Sequence, residues 1–107
     1  MANNYKNSKV DLANTDVTTL YTAPAATQAI VKSLLVSNDS GSDDTITVTI
    51  TDSASAVFSV YKNEEVGALS TKELLSQPLI VMESEILKVT AATGARLHVV
   101  ASYLEVT

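Results

Sequence analysis

His98 is the single histidine of the chain and stands between Leu97 and Val99. A catalytic serine needs a base of this type, itself oriented by a third group, within hydrogen-bond reach. Serines and aspartates are plentiful, but no motif ties any of them to His98, and a surface or interface position is the expectation for it. Asp39, Asp43, Asp44 and Asp52 gather around one polar stretch. Calcium takes several oxygen ligands that acidic loops can supply, yet this spacing does not follow the EF-hand loop, so solvated turn carboxylates are expected. Glu64 and Glu65, or Glu83 and Glu85, are the pairs available for glycoside hydrolysis. A sugar cleft is normally walled by aromatic platforms, and the chain has no Trp and one Phe. Gly41, Gly67 and Gly94 are the only glycines, too far apart to cradle a phosphate. Without cysteine there is neither a disulfide nor a thiolate metal site. The expectation is a protein that is not an enzyme and uses no cofactor and no metal.

Composition bounds the alternatives. A chain of 107 residues is one domain with room for a single core. Hydrophobic residues make up 46% of it, which fits a folded chain, and aromatics only 5%, so the core is aliphatic and rich in alanine. The net charge of −5 and seven dispersed basic residues argue against nucleic acid as a partner, because phosphate binding needs clustered Lys and Arg. The N-terminus, MANNYKNSKVD, lacks the apolar stretch of a signal peptide. No run approaches the length of a membrane span. The chain is expected to stay soluble where it is made or to be released by lysis.

The elements that must position these side chains are strands. Residues 45–51 alternate, with Ile46, Val48 and Ile50 on one face and Thr45, Thr47, Thr49 and Thr51 on the other. That period of two marks a strand with one dry face and one wet face, and β-branched residues suit the pleat. The preceding segment, residues 29–38, is apolar on both faces. Ile30, Leu34 and Val36 fall on the side of Lys32, while Val31 and Leu35 fall on the other with Ser33 and Ser37. Such a pattern predicts a central strand covered on both sides, or one with a side covered by another subunit. Residues 38–44, NDSGSDD, are all turn formers, with Gly41 able to take positive φ. Antiparallel pairing of the two strands through this loop is the simplest reading.

Elsewhere the pattern predicts a short edge strand at 10–12 and strands at 17–22, 56–62, 79–82, 86–92 and 96–106; residues 69–75 fit a strand better than the alternative, a short helical turn. Turns fall at 23–26, 53–55, 63–65, 83–85 and 92–95. Pro78 breaks the ladder, since it cannot donate to one. On the 86–92 strand Leu87, Val89 and Ala91 face inward. No helical periodicity and no internal repeat is present. Seven or eight short strands spaced by turns indicate an all-β, single-domain antiparallel β-sandwich or jelly roll over residues 10–107. Residues 1–9, rich in Asn and Lys, read as a flexible N-terminal arm.

The last strand has two apolar rows. Leu97, Val99, Ala101 and Tyr103 form one, and Val100, Leu104 and Val106 form the other, beside Arg96, His98 and Ser102. Two readings account for the second row: cover by the N-terminal segment, or a subunit interface.

Several phrases, taken in order, resemble small virion structural proteins of tailed bacteriophages, including cyanobacterial and marine phages. They are Leu20-Tyr21-Thr22-Ala23-Pro24-Ala25, Ala29-Ile30-Val31-Lys32-Ser33 with Val36-Ser37-Asn38, Ser40-Gly41-Ser42-Asp43, Thr45-Ile46-Thr47-Val48, Ile86-Leu87-Lys88-Val89-Thr90-Ala91 and Leu97-His98-Val99-Val100-Ala101-Ser102-Tyr103-Leu104-Glu105. The resemblance spans about residues 17–105 and consists of strand-and-turn patterns, with no catalytic signature to carry over. It departs at Ala26-Thr27, where a glycine would be expected after the proline. It implies a compact β-sandwich that decorates a capsid or sits in a tail, neck or fibre.

The resulting expectation is a capsid decoration or cement protein on the virion surface, made in the host cytoplasm. Its partners would be itself, as a homotrimer, and the major capsid protein, with neither nucleic acid nor membrane. Val100, Leu104 and Val106 are the expected self-association residues. Asn3, Asn4, Tyr5, Lys6, Asn7 and Lys9 form the arm expected to reach a neighbour. The alternatives are a tail, neck or fibre component and, from another class, a carbohydrate- or calcium-binding attachment module.

Overall fold

The structure, a computed structural model, describes residues 3–107. Nine strands are found among them: β1 (Asn3–Leu12), β2 (Thr18–Thr22), β3 (Gln28–Asn38), β4 (Asp44–Thr51), β5 (Val57–Val66), β6 (Thr71–Glu73), β7 (Leu79–Val81), β8 (Ile86–Ala91) and β9 (Leu97–Val106). One sheet runs β1-β9-β3-β6, with β7 also on β3, and the other runs β2-β8-β4-β5. Every pairing is antiparallel.

The pairing is nested along the chain. β1 meets β9, β2 meets β8, β3 meets β6 and β7, and β4 meets β5. The chain is thus one long hairpin, tipped by the turn after Thr51 and wrapped into two sheets, which is the jelly-roll form of the sandwich. β6 and β7 share one sheet position. They lie on the same side of β3, at Leu35–Ser37 and Ala29–Val31 respectively. The stretch between them holds Pro78, which has no N–H for a ladder.

The core lies between the sheets. Ile46 and Val48 of β4, Leu87, Val89 and Ala91 of β8, and Leu97, Val99 and Ala101 of β9 are essentially inaccessible. Burial of each large aliphatic contributes about 1.5–3 kcal/mol. The inward rows of β8 and β9 are therefore those that alternation predicts; that of β4 holds at Ile46 and Val48, whereas Thr51, expected outward, is buried past a register shift and Ile50 is half-buried.

Four expectations are corrected. First, β3 and β4 are not partners; they belong to opposite sheets, and residues 39–43 carry the chain across the sandwich. A polar loop between two strands serves a sheet crossing as well as a hairpin, and local sequence does not distinguish them. Second, residues 3–9 are not a free arm. They extend β1 along the whole of β9, from Asn3 opposite Val106 to Leu12 opposite Leu97. Met1 and Ala2 of that arm lie outside the described residues. Third, residues 63–65 are not a turn but continue β5, past a register irregularity at which Asn63 takes φ 52°. Fourth, no described glycine has positive φ; Ala26, at φ 56°, holds the left-handed position in the turn after Pro24.

The two-faced look of β3 also resolves. Its register against β9 shifts between Val31 and Ser33, a β-bulge that exchanges the faces. Ala29 and Val31 point inward before it, and Leu34 and Val36 after it. Ile30 and Lys32 therefore share the outer face with Leu35, not with Leu34 and Val36. Glu73 secures the bulge, accepting hydrogen bonds from the Ser33 hydroxyl and from Leu34 N–H at 2.7 Å.

Candidate assembly surface

β9 lies inside the first sheet, between β1 and β3, and its parity is strict. Leu97, Val99, Ala101, Tyr103 and Glu105 are buried, which leaves His98, Val100, Ser102, Leu104 and Val106 pointing away from the core. Val100, Leu104 and Val106 are half-buried and lie outside the core cluster.

The neighbouring strands extend this row sideways. Tyr5 stands opposite Leu104 on one flank, Ile30 stands opposite it on the other, and Ile80 stands opposite Ile30. Four strands thus present Tyr5, Leu104, Ile30 and Ile80 in one line across the sheet. Tyr5 is 76% exposed and Ile80 46%. On one side of the line, Val100 pairs with Leu35. On the other, Val106 and Met82 line a common hollow. An apolar strip of this continuity is unusual on a surface that faces only water. The cations beside it are Lys9, opposite Val100, and Lys32, whose ammonium sits 5.6 Å from the centre of the Tyr5 ring.

Beneath the strip lies a polar cluster that the sequence reading missed. Glu105 points inward and is only 5% exposed. Its carboxylate accepts a hydrogen bond from the Tyr21 hydroxyl at 2.6 Å and pairs with the Lys6 ammonium at 2.8 Å. Tyr21 belongs to the opposite sheet, so the bond bridges the sandwich. Its ring meets that of Tyr103 with centroids 4.3 Å apart and a 45° tilt, and the Tyr103 hydroxyl lies 2.8 Å from Ser8 Oγ. Hydrogen bonds from Lys6 and Tyr21 hold the Glu105 carboxyl below its ordinary range, and the same bond to Glu105 raises the Lys6 ammonium. Burial, reinforced by the bond to Glu105, pushes the Tyr21 hydroxyl up. The available signal was parity: after Tyr103 the next inward position of β9 holds a carboxylate, which cannot stay buried without a cation or donors.

The other residues with chemical potential have structural work. His98 places Nε2 3.3 Å from Asp11 of β1 and Nδ1 3.8 Å from Asp39, between two carboxylates, with Ser37 of β3 opposite it in the ladder. Asp44 accepts from Thr45 and Thr93 N–H groups, Asp43 from Ala68, and Asp52 from Ala54 and Ala56. Those carboxylates close turns and pin loops. Among the described residues no group of three or more His, Cys, Asp or Glu is gathered to hold a metal ion. Glu64 pairs with Lys72.

No protein-family model matches the chain, and no curated protein matches it significantly. Among solved structures it is similar to a chain of the "Structure of infectious bursal disease virus Gt strain", at 12% identity and a TM-score of 0.47. That alignment covers 98% of this chain and 30% of the other, so the chain spans less than a third of that protein's length.

Proposed function

We propose that the chain is a non-catalytic virion structural protein of a tailed bacteriophage, a decoration or cement protein that stabilises the head through protein contacts. The observation that carries the reading is the apolar line Tyr5, Leu104, Ile30 and Ile80, flanked by Val100, Leu35 and Val106 on the outer face of a rigid sheet. Covering such a strip with protein removes it from water and contributes about 25 cal/mol per Å² of apolar area. Many copies acting together multiply a modest contact into a stable shell. The phrase-by-phrase resemblance to small phage virion proteins supports the same conclusion, and so does the jelly-roll topology, an architecture used by capsid domains.

In this reading Val100, Leu104 and Val106 form the contact between copies, in a trimer, and the trimer rests on the major capsid protein at the particle surface. The protein is made in the host cytoplasm and needs neither nucleic acid nor a membrane. A tail, neck or fibre component would use the same face for the same purpose.

Copy number separates these outcomes. Quantitative mass spectrometry of purified particles, referenced to the major capsid protein, should find the chain in numbers comparable with that protein. A count suited to one ring or spike moves it to the tail or neck. Absence from the particle overturns the virion reading.

A further inference from the structure

β1 divides into two halves of different character. Its C-terminal half is anchored. Leu12 is 1% exposed, and its carbonyl accepts a bond from Ala95 N–H at 2.9 Å. The Gly94 backbone packs so closely on Ala13 that an added Cβ would lie 2.7 Å from its carbonyl oxygen. The N-terminal half is held by polar contacts alone: the ladder to β9, the Lys6–Glu105 pair and the Ser8–Tyr103 bond, with no buried apolar side chain. Asn3 to Asn7 are all exposed, and the residues at inward parity, Asn4, Lys6 and Ser8, are polar. Undocking residues 3–8 therefore uncovers little apolar surface. It does strand a buried carboxylate, because Glu105 would lose the Lys6 ammonium.

The seat vacated by residues 3–8 is specific. It offers Glu105 to a lysine, the Tyr103 hydroxyl to a serine two residues later, Leu104 to an aromatic ring beside that lysine, and Lys32 to the face of the ring. The pattern that fits is Tyr-Lys-x-Ser, and residues 5–8 supply it.

From this we infer that residues 3–8 are an exchangeable strand and that the occupant of the seat in the assembled protein is the same segment of a second copy. The partner copy then contributes Lys6 to Glu105, Ser8 to Tyr103 and Tyr5 to the apolar line. Exchange between identical chains preserves every contact of the closed form, which makes it a low-cost route to an oligomer. Six extended residues reach about 20 Å, which bounds how far apart the two bodies stand. The inference rests on the reading of the chain as an assembling protein, and it refines how copies join.

Asn7 and Ser102 test it. They stand directly opposite each other on β1 and β9, both exposed, in a chain without cysteine. Facing positions of an antiparallel pair lie within the Cα separation that a disulfide needs. Chains carrying Asn7→Cys and Ser102→Cys singly, with tags of different size, are co-expressed and oxidised. The chain carrying both changes is the reference that shows the pair can bridge. A non-reducing gel should show a heterodimer containing one chain of each kind, with a doubling of mass. A closed bridge in the doubly substituted chain with no heterodimer from the single variants overturns exchange. That result leaves the virion copy number untouched, so it is distinguishable from failure of the structural reading.

Discussion

The Lys6 ammonium on β1 and the Glu105 carboxylate on β9 meet at 2.8 Å, with the glutamate side chain 7% exposed and the lysine 52%. The pair is buried on one side only. The carboxylate depends on its partners, whereas the ammonium keeps much of its water. Tyr21 completes the coordination from the other sheet, so three strands of the sandwich converge on one buried anion.

Replacing Tyr21 by Phe keeps the ring packed against Tyr103 and removes only the hydroxyl. A hydrogen bond to a charged group is worth about 1.5–3 kcal/mol, and the loss should fall in that range. Urea unfolding should show a lower midpoint at unchanged slope, since the surface exposed on unfolding stays the same.

The pH dependence follows from the same cluster. Glu105 has a folded value below its ordinary 4.5, so its stabilisation is present above that pH and lost as the pH falls through the lower, folded value. Glu73 behaves likewise: burial pulls it up, but hydrogen bonds from Ser33, Leu34, Leu75 and Leu74 outweigh burial and leave it lowered. Tyr21 is raised from 10.0 and Lys6 from 10.5, so their contributions are present below those values and are lost as the pH rises through the folded ones. Melting temperatures should form a plateau from about pH 5 to about pH 9. Glu105→Gln should flatten the acid limb and Tyr21→Phe the alkaline one.

Removing the Glu73 carboxylate should loosen the bulge in β3. Glu73→Ala leaves the Leu34 N–H and the Ser33 hydroxyl without their acceptor, at a cost of about 1–3 kcal/mol. Amide hydrogen exchange at Leu34 should accelerate more than at Val48, which lies in the other sheet.

Backbone conformation gives two opposed expectations. Ala26 sits at φ 56°, where a side chain is strained, so Ala26→Gly should raise stability by about 0.5–1 kcal/mol once the glycine's extra chain entropy is counted. Gly94→Ala would bring a Cβ to 2.7 Å from the Ala13 carbonyl oxygen and should destabilise by about 1–3 kcal/mol. Thermal melts of the two variants should move in opposite directions.

The assembly surface has its own signature. Leu104→Asp places a charge in the centre of the apolar line while leaving the inward row of β9 intact. The isolated fold should melt within a few degrees of the parent, and the oligomer should dissociate in sedimentation analysis. An unchanged oligomer mass would remove Leu104 from the contact.

The sequence by itself determined the class of fold and the inner faces of three strands. Ile46 and Val48, Leu87 and Val89, and Leu97 through Tyr103 alternate cleanly, and a period of two has one dry side. It also singled out the second apolar row, Val100, Leu104 and Val106, because burial of the first row forces the second outward. Tertiary structure decided what pairs with what. The loop after Asn38 crosses between sheets, since a polar turn carries no record of its strands' partners. Residues 3–8 became a strand because β9 offers an open edge and Glu105 needs a cation, facts separated by about a hundred positions in the chain. The bulge at Ser33 reversed the faces of β3, because the groups that hold it belong to Glu73, forty residues away. Alternation is a local property; register, bulges and buried ion pairs are set by segments that only the folded chain brings together.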